Sequence, residues 1–209
     1  MPKHRISLVL IVAALVLSPL ACAAQGAAEA QKLYLEGKYD EARRACLEGI
    51  RLAPDDIESY VVLSWSLLAL ERYADAENYA LKGYAVRRDP RLTEALGEAA
   101  FRLGRNDAAL RNFQNYVSAV PEGGRVGLAY YYMGETYVRL ARFAHADICF
   151  SSALQYSPGN AHWWTRLGWA REKAGDPVHA LDAYEKALSI DPRLEDAKSG
   201  KERVDARLR

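Results

Sequence analysis

The sequence predicts an all-α fold: an α-solenoid of five helix–turn–helix units, closed by a C-terminal capping helix and preceded by a signal peptide. Three observations point there. Ala42, Ala76, Ala109, Ala146 and Ala180 stand 34, 33, 37 and 34 residues apart. Four residues beyond each comes a side chain suited to filling one helical face, namely Cys46, Ala80, Phe113, Phe150 and Tyr184. A proline then follows each time, at Pro54, Pro90, Pro121, Pro158 and Pro192. Self-similarity at a period of roughly 20–50 residues marks stacked repeats, each too small to bury its apolar face alone.

Residues 1–24 differ in character from the rest. Lys3, His4 and Arg5 form a short basic start, Ile6 to Leu20 is almost wholly apolar, and Ala21-Cys22-Ala23 supplies small residues at a cleavage-site spacing. This is the layout of a secretory signal peptide. The apolar run is shorter than the roughly 20 residues a membrane-spanning helix needs, and Pro19 would interrupt such a helix. Leu20-Ala21-Cys22 also resembles the end of a bacterial lipobox, with Pro19 where that motif usually has Leu. Two outcomes therefore stand open, a soluble periplasmic protein and one lipidated at Cys22. An uncleaved N-terminal anchor is a third.

Five units are expected over about 25–56, 57–89, 90–124, 125–158 and 159–192. Turns precede the anchor alanines at Gly37-Lys38, Glu71-Arg72, Gly104-Arg105, Ala141-Arg142 and Gly175-Asp176. The first unit is degenerate, with Ala27, Ala28 and Ala30 in place of bulky residues, as suits a terminal repeat lacking one neighbour. Gly134 and Gly168 each cost a helix about 1 kcal/mol relative to Ala; close approach of the two helices in a unit supplies a reason for them. The phenyl and phenol rings of Phe150 and Tyr184 are expected to fill the gap to the next unit. Each proline is expected to end a second helix. The 37-residue interval marks an insertion at Pro121-Glu122-Gly123-Gly124-Arg125, a looser joint or a plain surface loop. Residues 193–209 place Leu194, Ala197, Val204 and Leu208 on one helical face, which reads as a cap for the last unit.

The last two units carry Tyr130, Met133-Gly134, Tyr137, Ala146, Phe150, Ala153, Pro158 and Trp164, Leu167-Gly168, Ala180, Tyr184, Ala187, Pro192. This pattern resembles the tetratricopeptide-repeat family, an exported bacterial member in view of the leader. The resemblance covers five units in phase. It implies a superhelix whose concave inner face is lined by the first helix of each unit and holds a protein or peptide partner. Positions out of phase with the core then form the groove: Trp65, Leu68, Glu94, Glu98, Phe101, Arg102, Tyr131, Glu135, Arg139, His162 and Trp169. Trp65 and Trp169 occupy equivalent places in their units and are the expected anchors; the intervening charges would set register. Members that clamp chaperone C-termini use a basic, Asn-rich inner face. Here those places hold Gln31, Trp65, Glu98, Glu135 and Trp169, which argues against a chaperone-tail clamp.

Other chemistries find little footing. Charge is +1 for the whole chain, from 28 basic and 27 acidic side chains. Without Lys3 and Arg5 it becomes −1, so phosphate neutralisation gives no reason to expect nucleic acid. Cys46 and Cys149 are too far apart along a repeat stack to bridge and read as small buried apolar residues. His145, His162 and His179 stand 17 apart, a consequence of the repeat rather than a metal-ligand spacing. Phosphate-loop, nucleophile-elbow and HExxH motifs are missing. The expectation is a non-enzymatic, cofactor-free adaptor of the cell envelope. Alternatives are a structural subunit of an envelope or secretion complex using its convex face, and an accessory component of a transport system.

Overall fold

The computed structural model describes residues 19–209. Residues 1–18, with most of the expected leader, and the side chain of Cys22 lie outside what it describes. Eleven α-helices and no strand occur among the described residues. They pair as antiparallel hairpins: α1 (Pro19–Leu35) with α2 (Tyr39–Leu52), α3 (Ile57–Ala69) with α4 (Tyr73–Val86), α5 (Pro90–Arg102) with α6 (Asn106–Ala119), α7 (Val126–Arg139) with α8 (Phe143–Tyr156), and α9 (Ala161–Ala174) with α10 (Pro177–Ile190). A single helix, α11 (Glu195–Leu208), follows. No helix among the described residues is long and apolar enough to cross a membrane.

Each hairpin turns through one residue in the left-handed region. These are Gly37, Glu71, Gly104, Ala141 and Gly175, with φ of 77°, 59°, 74°, 54° and 85°. Glycine takes that conformation without a Cβ clash, whereas Glu71 and Ala141 accept a cost of roughly 1 kcal/mol to keep the same turn.

The anchor alanines Ala42, Ala76, Ala109, Ala146 and Ala180 are all fully buried, as are Cys46, Ala80, Phe113 and Phe150. Their smallness lets the paired helices approach until only glycine fits opposite. A Cβ on Gly134 would lie 2.6 Å from the Phe150 ring, and one on Gly168 would lie 2.8 Å from the Tyr184 ring. The rings therefore sit on a glycine of their own unit. They also reach onward: Phe150 packs with Leu167, Ala170 and Ala183 of the next hairpin, and Tyr184 presses on Gly200 of α11. Because Ala146 is fully buried where α7 and α8 pair, Ala146→Leu should destabilise by about 1–3 kcal/mol through overpacking, measured by urea denaturation. A neutral result would mean that α7 and α8 do not pair in this register.

Four of the five prolines follow a second helix, but Pro90 does not. It occupies the first position of α5, behind Asp89, whose carboxylate accepts the Arg91 backbone N–H; an N-terminal proline loses no helical hydrogen bond. Pro177 opens α10 in the same way behind Asp176. In α11, Ala197, Gly200 and Val204 face the stack. Leu208, expected on that face, is 43% exposed, one turn beyond the part that α9 and α10 cover.

Most successive odd-numbered helices touch: α1 on α3, α3 on α5, α5 on α7 and α9 on α11. The even-numbered helices pack mainly against the odd-numbered ones on either side. Crowding along one side and spreading along the other curves the stack, leaving the odd-numbered helices on the inner wall.

Candidate partner-binding groove

From α3 onward the inner wall is organised by ion pairs that run from one odd-numbered helix to the next or to the residue just ahead of it. Glu58 of α3 accepts two hydrogen bonds from Arg91 of α5, the shorter 2.6 Å, and Arg91 is also held by Asp89. Glu98 of α5 accepts from Arg125, just ahead of α7, at 3.0 Å. Glu135 of α7 is gripped by two nitrogens of Arg166 in α9, with Nη2 at 2.8 Å from Oε2. Glu172 of α9 receives Arg203 of α11 at 2.9 and 3.1 Å, Arg207 at 3.4 Å and the Tyr184 hydroxyl at 2.9 Å. Planar guanidinium suits such two-point contacts with carboxylate.

The middle of the wall is the most deeply buried part. Glu94 has no solvent exposure. Its Oε2 accepts the Trp65 indole N–H at 3.3 Å, and its Oε1 lies 2.8 Å from Arg125 Nη2. Burial holds the Glu94 carboxyl above its ordinary value, and the charge of Arg125 only partly offsets this. Tyr132 donates to Glu98 at 2.9 Å and accepts from Arg102 at 3.1 Å; burial, then the Glu98 charge, pushes its hydroxyl up to about 12. At the far end, burial would raise Glu172. The hydrogen bonds from Arg203 and Tyr184 and the charges of Arg203 and Arg207 outweigh it, so its carboxyl sits below the usual range.

Two hollows open on this wall. One, of about 200 Å³, is lined by Tyr34, Trp65, Leu68, Tyr73, Glu98 and Arg102. The other, of about 280 Å³, lies between α9 and α11, among Thr165, Arg166, Trp169, Tyr184, Ser199 and Arg203. Each contains one of the two equivalent tryptophans, and both tryptophans are half-buried. Trp65 lies beside Tyr34 with ring centres 5.9 Å apart and under Arg125. Trp169 meets Phe143 edge-on and lies under Arg166 and Lys173.

Of the remaining groove positions expected from the sequence, Arg102, Arg139 and His162 are exposed, and Tyr131 and Glu135 are half-buried. Leu68, Glu94, Glu98 and Phe101 are buried, and of these Leu68 and Glu98 line the hollow beside Trp65. The first helices lie so close together that positions near the seam are covered by the neighbouring unit. Tyr131 already has a stacking partner in Trp163, 5.2 Å away and nearly parallel. Periodicity missed Arg125, Arg166 and Arg203, which do most of the pairing. A signal existed: Glu135 to Arg166 and Glu172 to Arg203 are both 31 residues apart.

The repeat phase and the helical hairpins agree with family comparison. A tetratricopeptide-repeat family model matches residues 27–131, and a second matches residues 161–194. The chain belongs to the tetratricopeptide-repeat family. Among curated relatives, it is 30% identical over 107 residues to the Hsp70-Hsp90 organizing protein of Triticum aestivum, covering 51% of this chain and 18% of that protein. It is 27% identical over 161 residues to anaphase-promoting complex subunit 3 of Schizosaccharomyces pombe, covering 73% and 24%. The chain thus spans less than a quarter of the length of the curated relatives it matches. Among solved structures, YrrB, described as a tetratricopeptide-repeat protein with an unusual peptide-binding site, superposes with a TM-score of 0.68 at 19% identity, over 86% of this chain and 92% of that one. MamA from Desulfovibrio magneticus RS-1 gives 0.70 at 20% identity, over 83% and 97%. At those identities the likeness is one of fold.

Proposed function

We propose that this tetratricopeptide-repeat chain is an exported scaffold that holds a protein or peptide segment along its inner wall, as an adaptor of a cell-envelope complex, with no chemistry of its own. The observation that carries this reading is the pair of half-buried tryptophans at equivalent positions, each opening into a hollow on the same wall. An aromatic face with one side packed and one side wet is a low-entropy anchor for a partner side chain. The peptide-binding site named for YrrB supports the reading by analogy of fold alone. Export is supported by the character of residues 1–24, and lipidation by Cys22. Mass spectrometry of the mature N-terminus distinguishes a lipidated Cys22 from cleavage that removes it.

The test of the groove starts from dodecapeptides selected on the purified protein from a random display library. Trp65→Ala and Trp169→Ala should each weaken the selected peptides by about tenfold or more, with the helical circular dichroism signal retained. A convex-face reading has its own observation, since Leu81 and Ile148 on second helices are 54% and 68% exposed. Should the tryptophan variants bind as well as wild type while Leu81→Ser and Ile148→Ser lose binding, the outer surface is the docking site and the groove reading fails.

A further inference from the structure

Arg102, Arg139 and Lys173 each stand seven residues ahead of an anchor alanine, so they occupy the same place in the third, fourth and fifth units. All three are exposed, in the last turn of α5, α7 and α9. The ion pairs described above engage Arg91, Arg125, Arg166 and Arg203, each with a carboxylate oxygen within 3.0 Å. These three cations are different. The Arg102 guanidinium is 3.6 Å from Glu98, a carboxylate already taken by Arg125 and Tyr132. Arg139 lies over the Phe101 ring at 3.6 Å and donates to the Phe101 carbonyl, and Lys173 lies over the Trp169 ring at 5.6 Å; neither has a carboxylate partner among the described residues.

A cation at a helix C-terminus complements the helix dipole, which accounts for one such residue in isolation. The dipole does not account for three in register, each set on an aromatic ring and none with a carboxylate to itself. We propose that this ladder reads an extended acidic segment of a partner protein, carrying carboxylates at every third residue. Packed helices are spaced by about 8–10 Å. Three residues of polyproline II chain, at about 3.1 Å each, span the same distance and return a side chain to the same face. The ladder stops at the second unit, where Ala69 takes the equivalent place and Glu71 lines the adjoining hollow; the acidic segment therefore ends there and an apolar or aromatic residue enters beside Trp65.

This inference rests on the groove reading, and the test separates the two. The probe is a fluorescein-labelled peptide containing Glu-Ala-Pro three times, compared with one in which Gln replaces each Glu and one in which the three Glu are contiguous. Fluorescence anisotropy should show the spaced acidic peptide binding more tightly than either control, by on the order of tenfold over the Gln version. The advantage should shrink between 50 and 200 mM salt, values chosen to bring the screening length down to about 7 Å. The triple variant R102Q/R139Q/K173Q should reduce the spaced peptide to the level of the Gln version. Should the triple variant not fold, the pair R102Q/K173Q, which leaves the Arg139–Phe101 contact intact, makes the same comparison. Equal binding of spaced and contiguous peptides overturns the register. Equal binding of Glu and Gln peptides, with Trp65→Ala still weakening library-selected ones, overturns the acidic partner but leaves the groove standing. Tighter binding of a single-stranded oligonucleotide than of any peptide overturns the choice of a protein segment.

Discussion

Arg125→Met should cost about 3–5 kcal/mol at neutral pH, the typical penalty for removing one partner of a buried ion pair. Arg125 faces two carboxylates at once, Glu94 at 2.8 Å and Glu98 at 3.0 Å. Its loss leaves both on α5 with Glu94 fully enclosed. The penalty has a predictable pH dependence. Burial already raises the Glu94 carboxyl, and Arg125 is the principal group lowering it; in the variant the folded-state value rises further. A group whose folded value exceeds its unfolded one adds stability below the unfolded value, near 4.3 for Glu, and that contribution is lost as pH rises through the folded value. The destabilisation should therefore be smaller at pH 5 than at pH 7.5, measured by urea unfolding at both. Glu94→Gln in the same background should recover much of the loss, because a neutral amide can still accept from Trp65 and no longer repels Glu98. A deficit that is flat with pH would show that Arg125 acts by packing rather than by charge.

Phe150→Ala should cost about 3–5 kcal/mol, the range for emptying a large aromatic site in a core. The ring is fully buried and rests on Gly134 on one side and on Leu167, Ala170 and Ala183 on the other. Its removal opens both the α7–α8 hairpin and the seam to α9, so the fourth and fifth units should lose their joint cooperativity. A double-mutant cycle isolates the glycine contact. Gly134→Val alone places carbon within 3 Å of the ring and should be strongly destabilising. In the Phe150→Ala background the same valine enters the vacated space and should cost less. Helix propensity changes equally in both backgrounds and cancels, so non-additivity of about 1–3 kcal/mol reports the contact. Strict additivity would mean that the ring does not sit on Gly134.

Much of this architecture is written in short-range sequence. Ala109, Ala146 and Ala180 recur because two helices at close packing admit only a small side chain there. A left-handed residue recurs five residues ahead of each anchor alanine, as glycine at Gly37, Gly104 and Gly175. Those rules act within one hairpin, so a single chain suffices to read them. The departures have the same origin. Pro90 could either close one helix or open the next; it opens α5, behind the Asp89 cap.

What the sequence by itself determined is the repeat, its phase, the helical hairpins and the residues buried between the two helices of each unit. What only the tertiary structure decided is which polar side chains of the inner wall face solvent and which face one another. Glu94 and Arg102 are both groove positions by periodicity, yet the first is sealed beneath Trp65 and Arg125 while the second is exposed. The physical reason is distance. Contacts within a hairpin follow from a fixed helical period, whereas contacts between first helices of successive units depend on how far the stack curves. Curvature is the summed result of every interface, and no single stretch of sequence carries it.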